Sequence, residues 1–232
     1  MTLYSDRLAT TPRLWMHRAG QSGTRLEKVN IMRATFDKVT SWAGLLLVAV
    51  LLVAGSLLTW ASLFVGNQVH DQLAEQNITM PTTKTGLADL PAADQAALEQ
   101  YAGQDLTTGS QAKAYADHYI KVHMNEASKG QTYSEVSGQY IQQCTSDPKA
   151  AETETCQSLA GLRQTLFMGD TLRGLLLYGY AFATIGVIAG YAALAAFAGA
   201  AILLVLVGLG FWHSRRASHP VAAVGQPVGA HV

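Results

Sequence analysis

The residues with the clearest potential for chemistry are three histidines near carboxylates: His70, His118 and His123. His118 and His123 are five residues apart, and Asp117 precedes the first of them. Metal-binding histidines on a helix are usually four apart, because that spacing puts both rings on one face. An Asp117–His123 metal pair stays open as an alternative. We favour solvated or hydrogen-bonding histidines and predict no metal site.

Two cysteines, Cys144 and Cys156, lie between two long apolar runs. They form a poor zinc ligand set, because neither belongs to a Cys-x-x-Cys motif. An oxidising compartment would allow them to pair. Closing a loop of this size stabilises a fold by about 3 kcal/mol in the chain-entropy model. We therefore predict a disulfide, with two free thiols as the alternative.

Sequence motifs that define common enzyme classes are absent. The chain has no Gly-x-x-x-x-Gly-Lys-Ser/Thr loop, no Gly-x-Ser-x-Gly elbow and no His-Glu-x-x-His pair. The apolar runs contain no ionisable side chain, although proton pumps and ion-coupled transporters need such residues inside the membrane. We predict no catalytic residue and no cofactor, and neither an enzyme nor a transporter.

Two further signals are weak. Tyr115, Tyr119, Tyr133 and Tyr140 could line a ligand pocket, but tyrosines at helical spacing more often occupy core and rim positions. Asn77-Ile78-Thr79 fits the N-glycosylation pattern, which is too short to predict modification.

The elements that position these residues include two uncharged runs, 43–66 and 174–211. Only 14% of the residues are charged, against about 25% in soluble proteins. A membrane-spanning helix needs roughly 20 apolar residues, and the first run is too long and starts too late for a signal peptide. We predict an integral protein of the cell membrane that contacts lipid. A net charge of zero gives no indication of a nucleic-acid partner.

Basic residues near the span ends indicate the orientation. Residues 67–170 contain six basic and thirteen acidic residues. Arg215 and Arg216 follow the second run, and seven basic residues precede the first: Arg7, Arg13, Arg18, Arg25, Lys28, Arg33 and Lys38. We predict cytoplasmic termini, with residues about 67–173 extracytoplasmic. Two spans fit this pattern, whereas three would put Arg215 and Arg216 outside.

The second run is longer than one span requires. Its 38 residues would form a helix of about 57 Å, whereas a bilayer core is about 30 Å thick. One span over about 190–211, with Trp212 level with Trp42, leaves 174–189 outside the membrane. That apolar segment needs cover, either from the extended first helix and the outer segment or from another protein.

Small residues recur on the same helix and permit close helix packing. This small-residue seam fits packing on the first helix and self-association equally well, and it consists of Gly179, Ala183, Gly186, Gly190 and Ala193.

The predicted fold is all-α: a long antiparallel two-helix transmembrane hairpin with an extracytoplasmic cap of small helices. In the cap, Pro91 suits a first helical position, Ser110 is a candidate N-cap, and Thr132 with Glu135 forms a capping box. The first helix should continue two or three turns beyond residue 66.

The predicted segments are a basic tail and short interfacial helix (1–41), transmembrane helix 1 (42–66), the disulfide-bonded cap (67–173), the long apolar helix containing transmembrane helix 2 (174–212) and a cytoplasmic tail (213–232).

Three blocks of the chain resemble one group of proteins: QLAEQNITMP, AYADHYIKVHMNEASKGQTYSEV and TLRGLLLYGYAF. They are similar to small actinobacterial two-span membrane proteins, many of them loosely labelled aromatic ring-opening dioxygenase, over about residues 40–211. The resemblance implies no activity, because the chain has no His and Glu set able to hold a non-haem iron, and no functional residue carries over. The longer second run and the added Cys144–Cys156 segment depart from that group.

These observations predict a non-catalytic structural or accessory subunit of a larger membrane assembly, for example a respiratory one. Its partners would be other membrane subunits or, through the small-residue seam, further copies of itself. The alternative is an extracytoplasmic module that binds or senses a ligand or lipid and is anchored by two spans. A membrane enzyme is the least favoured interpretation.

Overall fold

The computed structural model describes the backbone of residues 13–217 and the side chains from Thr35 onward, apart from Asp37, Ser214, Arg216 and Ala217. In this range the regular elements are helical, and the β-type pairing is an isolated bridge between Thr79 and Asp105. The all-α prediction is confirmed. The helices are α1 (Arg13–Ala74), α2 (Ala92–Glu99), α3 (Gly109–Tyr115), a π-helical segment (Ala116–Ile120), α4 (Lys121–Ser128), α5 (Tyr133–Cys144), a 3₁₀ turn (Ala150–Glu152) and α6 (Glu154–Ala217).

Helix α1 is uninterrupted over 62 residues. No proline lies between Pro12 and Pro81, so every residue within it can donate its backbone N–H to the helix. The interfacial helix predicted within 1–41 is therefore not a separate element. The part of the predicted tail from Arg13 onward is helical as well, and residues 1–12 lie outside the described range. Beyond Gly66 the helix continues for about two turns, as predicted.

Helix α6 is a single helix of 64 residues that includes the whole of 174–212. By length and composition, Lys38–Ala74 and Glu154–His213 can each cross a membrane. The apolar side chains of both stretches are largely exposed within the chain itself, as at Trp42, Trp60 and Leu194. Exposure of this kind is typical of a lipid-facing surface rather than of a buried core helix.

The chain divides into two compact units. The first comprises residues up to Gly55 and from Ala195 onward. Glycines allow α1 and α6 to approach closely in this unit. A Cβ atom built on Gly44 would stand 2.6 Å from Val207 Cγ2, and one on Gly55 would stand 2.9 Å from the Phe197 ring. The two segments are therefore packed antiparallel at van der Waals contact.

The second unit, Ser56–Leu194, contains the cap and the adjoining parts of α1 and α6. Its cap contributes fully buried side chains, among them Leu98 and Leu106. Val69 and Leu73 of α1 and Leu176 of α6 belong to the same hydrophobic cluster. The cap therefore shares one core with the two long helices of this unit.

The boundaries of the cap helices differ in detail from the predictions. Pro91 is the N-cap of α2 rather than its first residue, and α2 ends at Glu99. Helix α3 is capped by Thr108, not by Ser110. The Thr108 hydroxyl accepts from the Gln111 N–H, and the Gln111 side-chain oxygen accepts from the Thr108 N–H.

Helix α5 begins as predicted. The Thr132 hydroxyl accepts from the Glu135 N–H, while the Glu135 carboxylate accepts from the Thr132 N–H at 2.7 Å. These two hydrogen bonds hold the pKa of Glu135 below its usual range. Val136 is buried on the inner face, whereas Ile141 is more than half exposed.

Candidate interaction site

The small-residue seam of α6 contacts α1 within the second unit. A Cβ atom built on Gly186 would stand 3.3 Å from Val65 Cγ1, and one on Gly190 would stand 3.0 Å from Ser62 Oγ. Ala193 is buried, and Leu73 lies 3.7 Å from a Cβ atom built on Gly179. Of the two arrangements left open by the sequence, packing on the first helix is the one found. Gly186 is consequently buried against α1, and Gly190 is partly covered by it.

The cap packs against a different side of α6. A Cβ atom built on Gly109 would stand 2.5 Å from the Cβ of Ala183, the remaining seam residue, and 3.2 Å from Tyr180 Cα. Further along, Met124 fills the space beside Gly169, where an added Cβ atom would meet its sulfur at 2.5 Å. Glycine is therefore required at 109 if α3 and α6 are to keep this distance, whereas at 169 the flexible Met124 side chain could move aside.

A cluster of charges joins the cap to α6 near the π-helical segment. Asp117 accepts hydrogen bonds from Lys113 Nζ and, at 2.8 Å, from Arg173 Nη2. Burial raises the pKa of Asp117, but the hydrogen bonds from the two cations outweigh it and hold the pKa below its usual range. His118 Nδ1 lies 2.8 Å from Asp94 Oδ1. These pairs border a polar cavity of about 620 Å³.

The histidines follow the favoured interpretation. His123 Nδ1 lies 2.9 Å from the Tyr119 carbonyl oxygen, and His70 is exposed beside Asp71. Asp117 pairs with the side chains of Lys113 and Arg173 rather than with His123. Among the residues that the structure describes, no three metal-ligating side chains form a group.

The tyrosines occupy core and rim positions. The rings of Tyr115 and Tyr119 stack with centroids 4.8 Å apart and pack against the cap core. Burial and the neighbouring Tyr119 raise the pKa of Tyr115. Tyr133 and Tyr140 lie beside Arg163, and hydrogen bonding to Arg163 and Ser137 lowers the pKa of Tyr133.

Cys144 and Cys156 form the predicted disulfide, with their Cα atoms 5.6 Å apart. Both are buried, and the bond joins the last residue of α5 to the first turn of α6. The closed loop contains the 3₁₀ turn, which has no buried residue of its own. The disulfide thus holds a segment that side-chain packing alone holds weakly.

A groove lies between α1 and α6 on a side of the pair that the cap leaves open. We call it the α1/α6 groove; its volume is about 520 Å³. Its floor consists of buried Val69, Leu73 and Leu176. Exposed glutamines four residues apart form the α1 wall: Gln68, Gln72 and Gln76. Exposed apolar side chains form most of the α6 wall, including Leu175, Tyr178 and Phe182.

The α6 wall belongs to a longer exposed face, which we call the outer α6 stripe. Its large members are 56–67% exposed, and they are Met168, Leu175, Tyr178, Phe182 and Ile185. Of the two kinds of cover expected for 174–189, the internal one therefore accounts for only part of the segment. Leu176 and Leu177 pack into the core, but Ile185 does not. The reason is that the cap covers one side of α6 and leaves this side open.

No family model, curated protein or solved structure matches the chain. The site must therefore be interpreted from its own geometry. Sequence reasoning identified the outer half of α6 as a surface needing cover, but not the residues left uncovered. A signal was present, because Leu175, Tyr178, Phe182 and Ile185 recur at steps of three and four.

Proposed function

We propose that this is a two-span protein of the cell membrane, with cytoplasmic termini, that serves as a structural or accessory subunit. It would hold a disulfide-bonded helical cap outside the membrane and present an apolar helix face to another protein. The observation that carries the proposal is the exposure of the outer α6 stripe beside a polar part of α1.

The spacing of exposed aromatic residues indicates which parts of α1 and α6 would lie within the bilayer. Trp42 and Trp60 are 18 residues apart on α1, or about 27 Å. Tyr191 and Trp212 are 21 residues apart on α6, or about 32 Å. Both intervals are close to the hydrocarbon thickness of about 30 Å, and Trp and Tyr concentrate at its two boundaries.

The outer α6 stripe would then lie beyond the hydrocarbon layer. The contacts of Gly186 with Val65 and of Gly179 with Leu73 place this part of α6 alongside residues 65–73 of α1. That part of α1 carries Asn67, His70 and Asp71, which would be costly inside a membrane. Lipid tails therefore do not account for the stripe. Large apolar surfaces exposed to water are typical of protein interfaces.

The polar groups of the cap support a structural role. Asp117 is engaged by Lys113 and Arg173, and His118 lies at hydrogen-bonding distance from Asp94. These pairs fix the π-helical segment to α6 and α2, which is a structural use of their charges. Membership of the actinobacterial two-span group is part of the same proposal and is supported by the three sequence blocks.

Thiol labelling tests the topology, because the two native cysteines are paired. In intact cells, an impermeant maleimide should label Gln157→Cys in the cap and should not label Arg215→Cys. Labelling of Arg215→Cys from outside would indicate three spans instead of two.

Chemical crosslinking in native membranes tests the accessory role. A chain that stays monomeric at native expression, while its topology is as proposed, would contradict that role.

The α1/α6 groove favours a second candidate function, a lipid-binding module. It is apolar along its floor and α6 wall, and its α1 lining residues Phe64 and Val65 lie at the proposed membrane boundary. Native mass spectrometry after purification in mild detergent would show a retained lipid. Gly179→Trp, which fills the groove, should remove it, and Gly174→Trp, outside the groove lining, should not.

A further inference from the structure

We propose that the partner of the outer α6 stripe is a second copy of this chain. The protein would be a parallel homodimer in which the two α6 helices meet outside the membrane along Leu175, Tyr178, Phe182 and Ile185. This inference rests on the proposed function, because membrane insertion is what orients the two copies.

The spacing of the stripe is that of a helix–helix seam. From Met168 through Thr171 to Ile185, its positions alternate in steps of three and four residues. Alternating steps of three and four keep side chains on one line along a helix and form the contact seam of two-stranded coiled coils. The large side chains at these positions are more than half exposed. They are therefore free to pack into a facing helix.

The membrane makes the two copies parallel. Chains inserted in the same orientation are related by a two-fold axis along the membrane normal, so each residue meets its own counterpart at the same height. Leu175 would face Leu175, and Phe182 would face Phe182. In this arrangement a seam of large apolar residues is complementary to itself, which a seam for a different protein need not be.

A self-complementary surface must avoid charge, because every charge would meet its own copy. The stripe contains none, and the α1 wall beside it consists of the neutral glutamines 68, 72 and 76. Between Arg163 and Arg215, α6 has only two charged residues, Asp170 and Arg173. Arg173 is bound to Asp117 on the cap side. Asp170 lies about 100° around the helix from the stripe.

The dimensions of the groove fit side chains of a neighbouring helix. The lining from Phe64 to Gln76 spans 12 residues, or about 18 Å. A helix of that length, about 10–12 Å in diameter, would occupy roughly 1,400–2,000 Å³, whereas the groove offers about 520 Å³. A partner helix would therefore lie beside the groove, with only individual side chains entering it.

The available area is sufficient for a specific contact. Large aromatic side chains bury about 150–250 Å² each. Tyr178 and Phe182 are aromatic and more than half exposed, and with the three aliphatic stripe residues the stripe offers at most on the order of 600 Å² per copy. Two copies would bury at most about 1,200 Å², at the lower end of the range for stable protein interfaces.

Cysteine crosslinking of the full-length chain in its membrane tests the dimer. Leu175→Cys, Tyr178→Cys and Phe182→Cys each introduce a single free thiol. Mild oxidation should give at least fivefold more homodimer at these positions than at two exposed controls elsewhere around α6, Asp170→Cys and Val187→Cys. Phe182→Gln should prevent two differently tagged copies from co-purifying, while hydrogen exchange in the cap stays unchanged.

Each other outcome separates the dimer from the proposed function. Equal crosslinking at stripe and control positions would indicate random collision and overturn the dimer. A crosslink from the stripe to a different protein would overturn the dimer and retain the accessory role. A lipid retained in the groove, without homodimer crosslinks, would favour the lipid-binding module. External labelling of Arg215→Cys would instead remove the membrane orientation on which both proposals depend.

Discussion

Replacing Asp117 by asparagine should open the cap locally while leaving its fold intact. The side chain keeps its shape but loses the charge that holds Lys113 and Arg173. The Arg173 Nε atom is already buried and has no hydrogen-bond partner among the described residues. The substitution therefore leaves a largely buried guanidinium with no anion beside it.

The size of the effect follows from the exposure of the three side chains, which is 20% for Asp117, 31% for Arg173 and 45% for Lys113. A hydrogen bond to a charged group contributes about 1.5–3 kcal/mol, and the Arg173 pair, which is mostly buried, should contribute about 2 kcal/mol. The more exposed Lys113 pair should contribute less than about 1 kcal/mol. Asp117→Asn should therefore lower the local free energy of opening by about 2–3 kcal/mol.

Hydrogen exchange with mass spectrometry, in nanodiscs, measures this free energy directly. Amides of 109–128 should exchange about 30- to 150-fold faster in Asp117→Asn, since about 1.4 kcal/mol corresponds to tenfold. Peptides from α5 should not change. Lys113→Met should accelerate exchange less than about sixfold. Similar effects of Asp117→Asn and Lys113→Met, or a change below threefold, would refute the central role of the Arg173 pair.

The pH dependence has a definite sign. The folded-state pKa of Asp117 lies below its usual value, and the unfolded value is about 3.9. The contribution is thus fully present above about pH 4–5 and is lost as pH falls through the folded-state pKa. After the intrinsic pH dependence of amide exchange is divided out, protection of 109–128 should fall on acidification in the wild-type chain, and Asp117→Asn should lack this component.

Three further changes should give separable results. Removing the disulfide with Cys144→Ser and Cys156→Ser should destabilise the cap by about 3 kcal/mol, visible as a lower cap melting temperature that a reductant reproduces in the wild-type chain. Gly109→Ala should lower the free energy of unfolding by about 1–3 kcal/mol through overpacking. Gly179→Ala, whose added Cβ atom has its nearest neighbour at 3.7 Å, should be neutral or stabilising by up to about 1 kcal/mol. Equal melting temperatures for the two variants would contradict this. Thr108→Ala should cost about 1 kcal/mol, measured as faster exchange confined to the first turn of α3.

Local signals predicted much of the cap because they depend on few neighbours. The capping box of Thr132 and Glu135 involves residues three apart, and both of its backbone hydrogen bonds are present. The end of α4 is similar. Lys129 and Gly130 have positive φ angles of 54° and 82°, and a glycine at this place is a local signal for the end of a helix. Such features form wherever the local sequence allows them.

Features that depend on distant contacts were not predictable. The N-cap of α3 is an exception, because Thr108 and Gln111 are three residues apart and form a capping box that the sequence could have predicted. The close approach of Gly109 to Ala183, by contrast, is a tertiary contact. Likewise, the open side of α6 depends on where the cap docks, for example through the Asp117–Arg173 pair across 56 residues. Helical periodicity alone contains no such information.

The π-helical segment has a consequence for how the cap tolerates changes in chain length. Ala116 is buried in the core, and Met124, eight residues later, contacts Gly169. In a continuous α-helix, eight residues turn through about 800°, which is about 80° past two full turns and would rotate Met124 away from α6. The wider i→i+5 turn accommodates one additional residue and reduces that rotation. The segment is therefore equivalent to a one-residue insertion that the helix accommodates as a π-helical turn. A segment one residue shorter would leave seven steps between Ala116 and Met124, which turn through about 700° and keep both side chains in place. An ordinary α-helical stretch has no comparable tolerance, because each deletion there rotates the following face by about 100°.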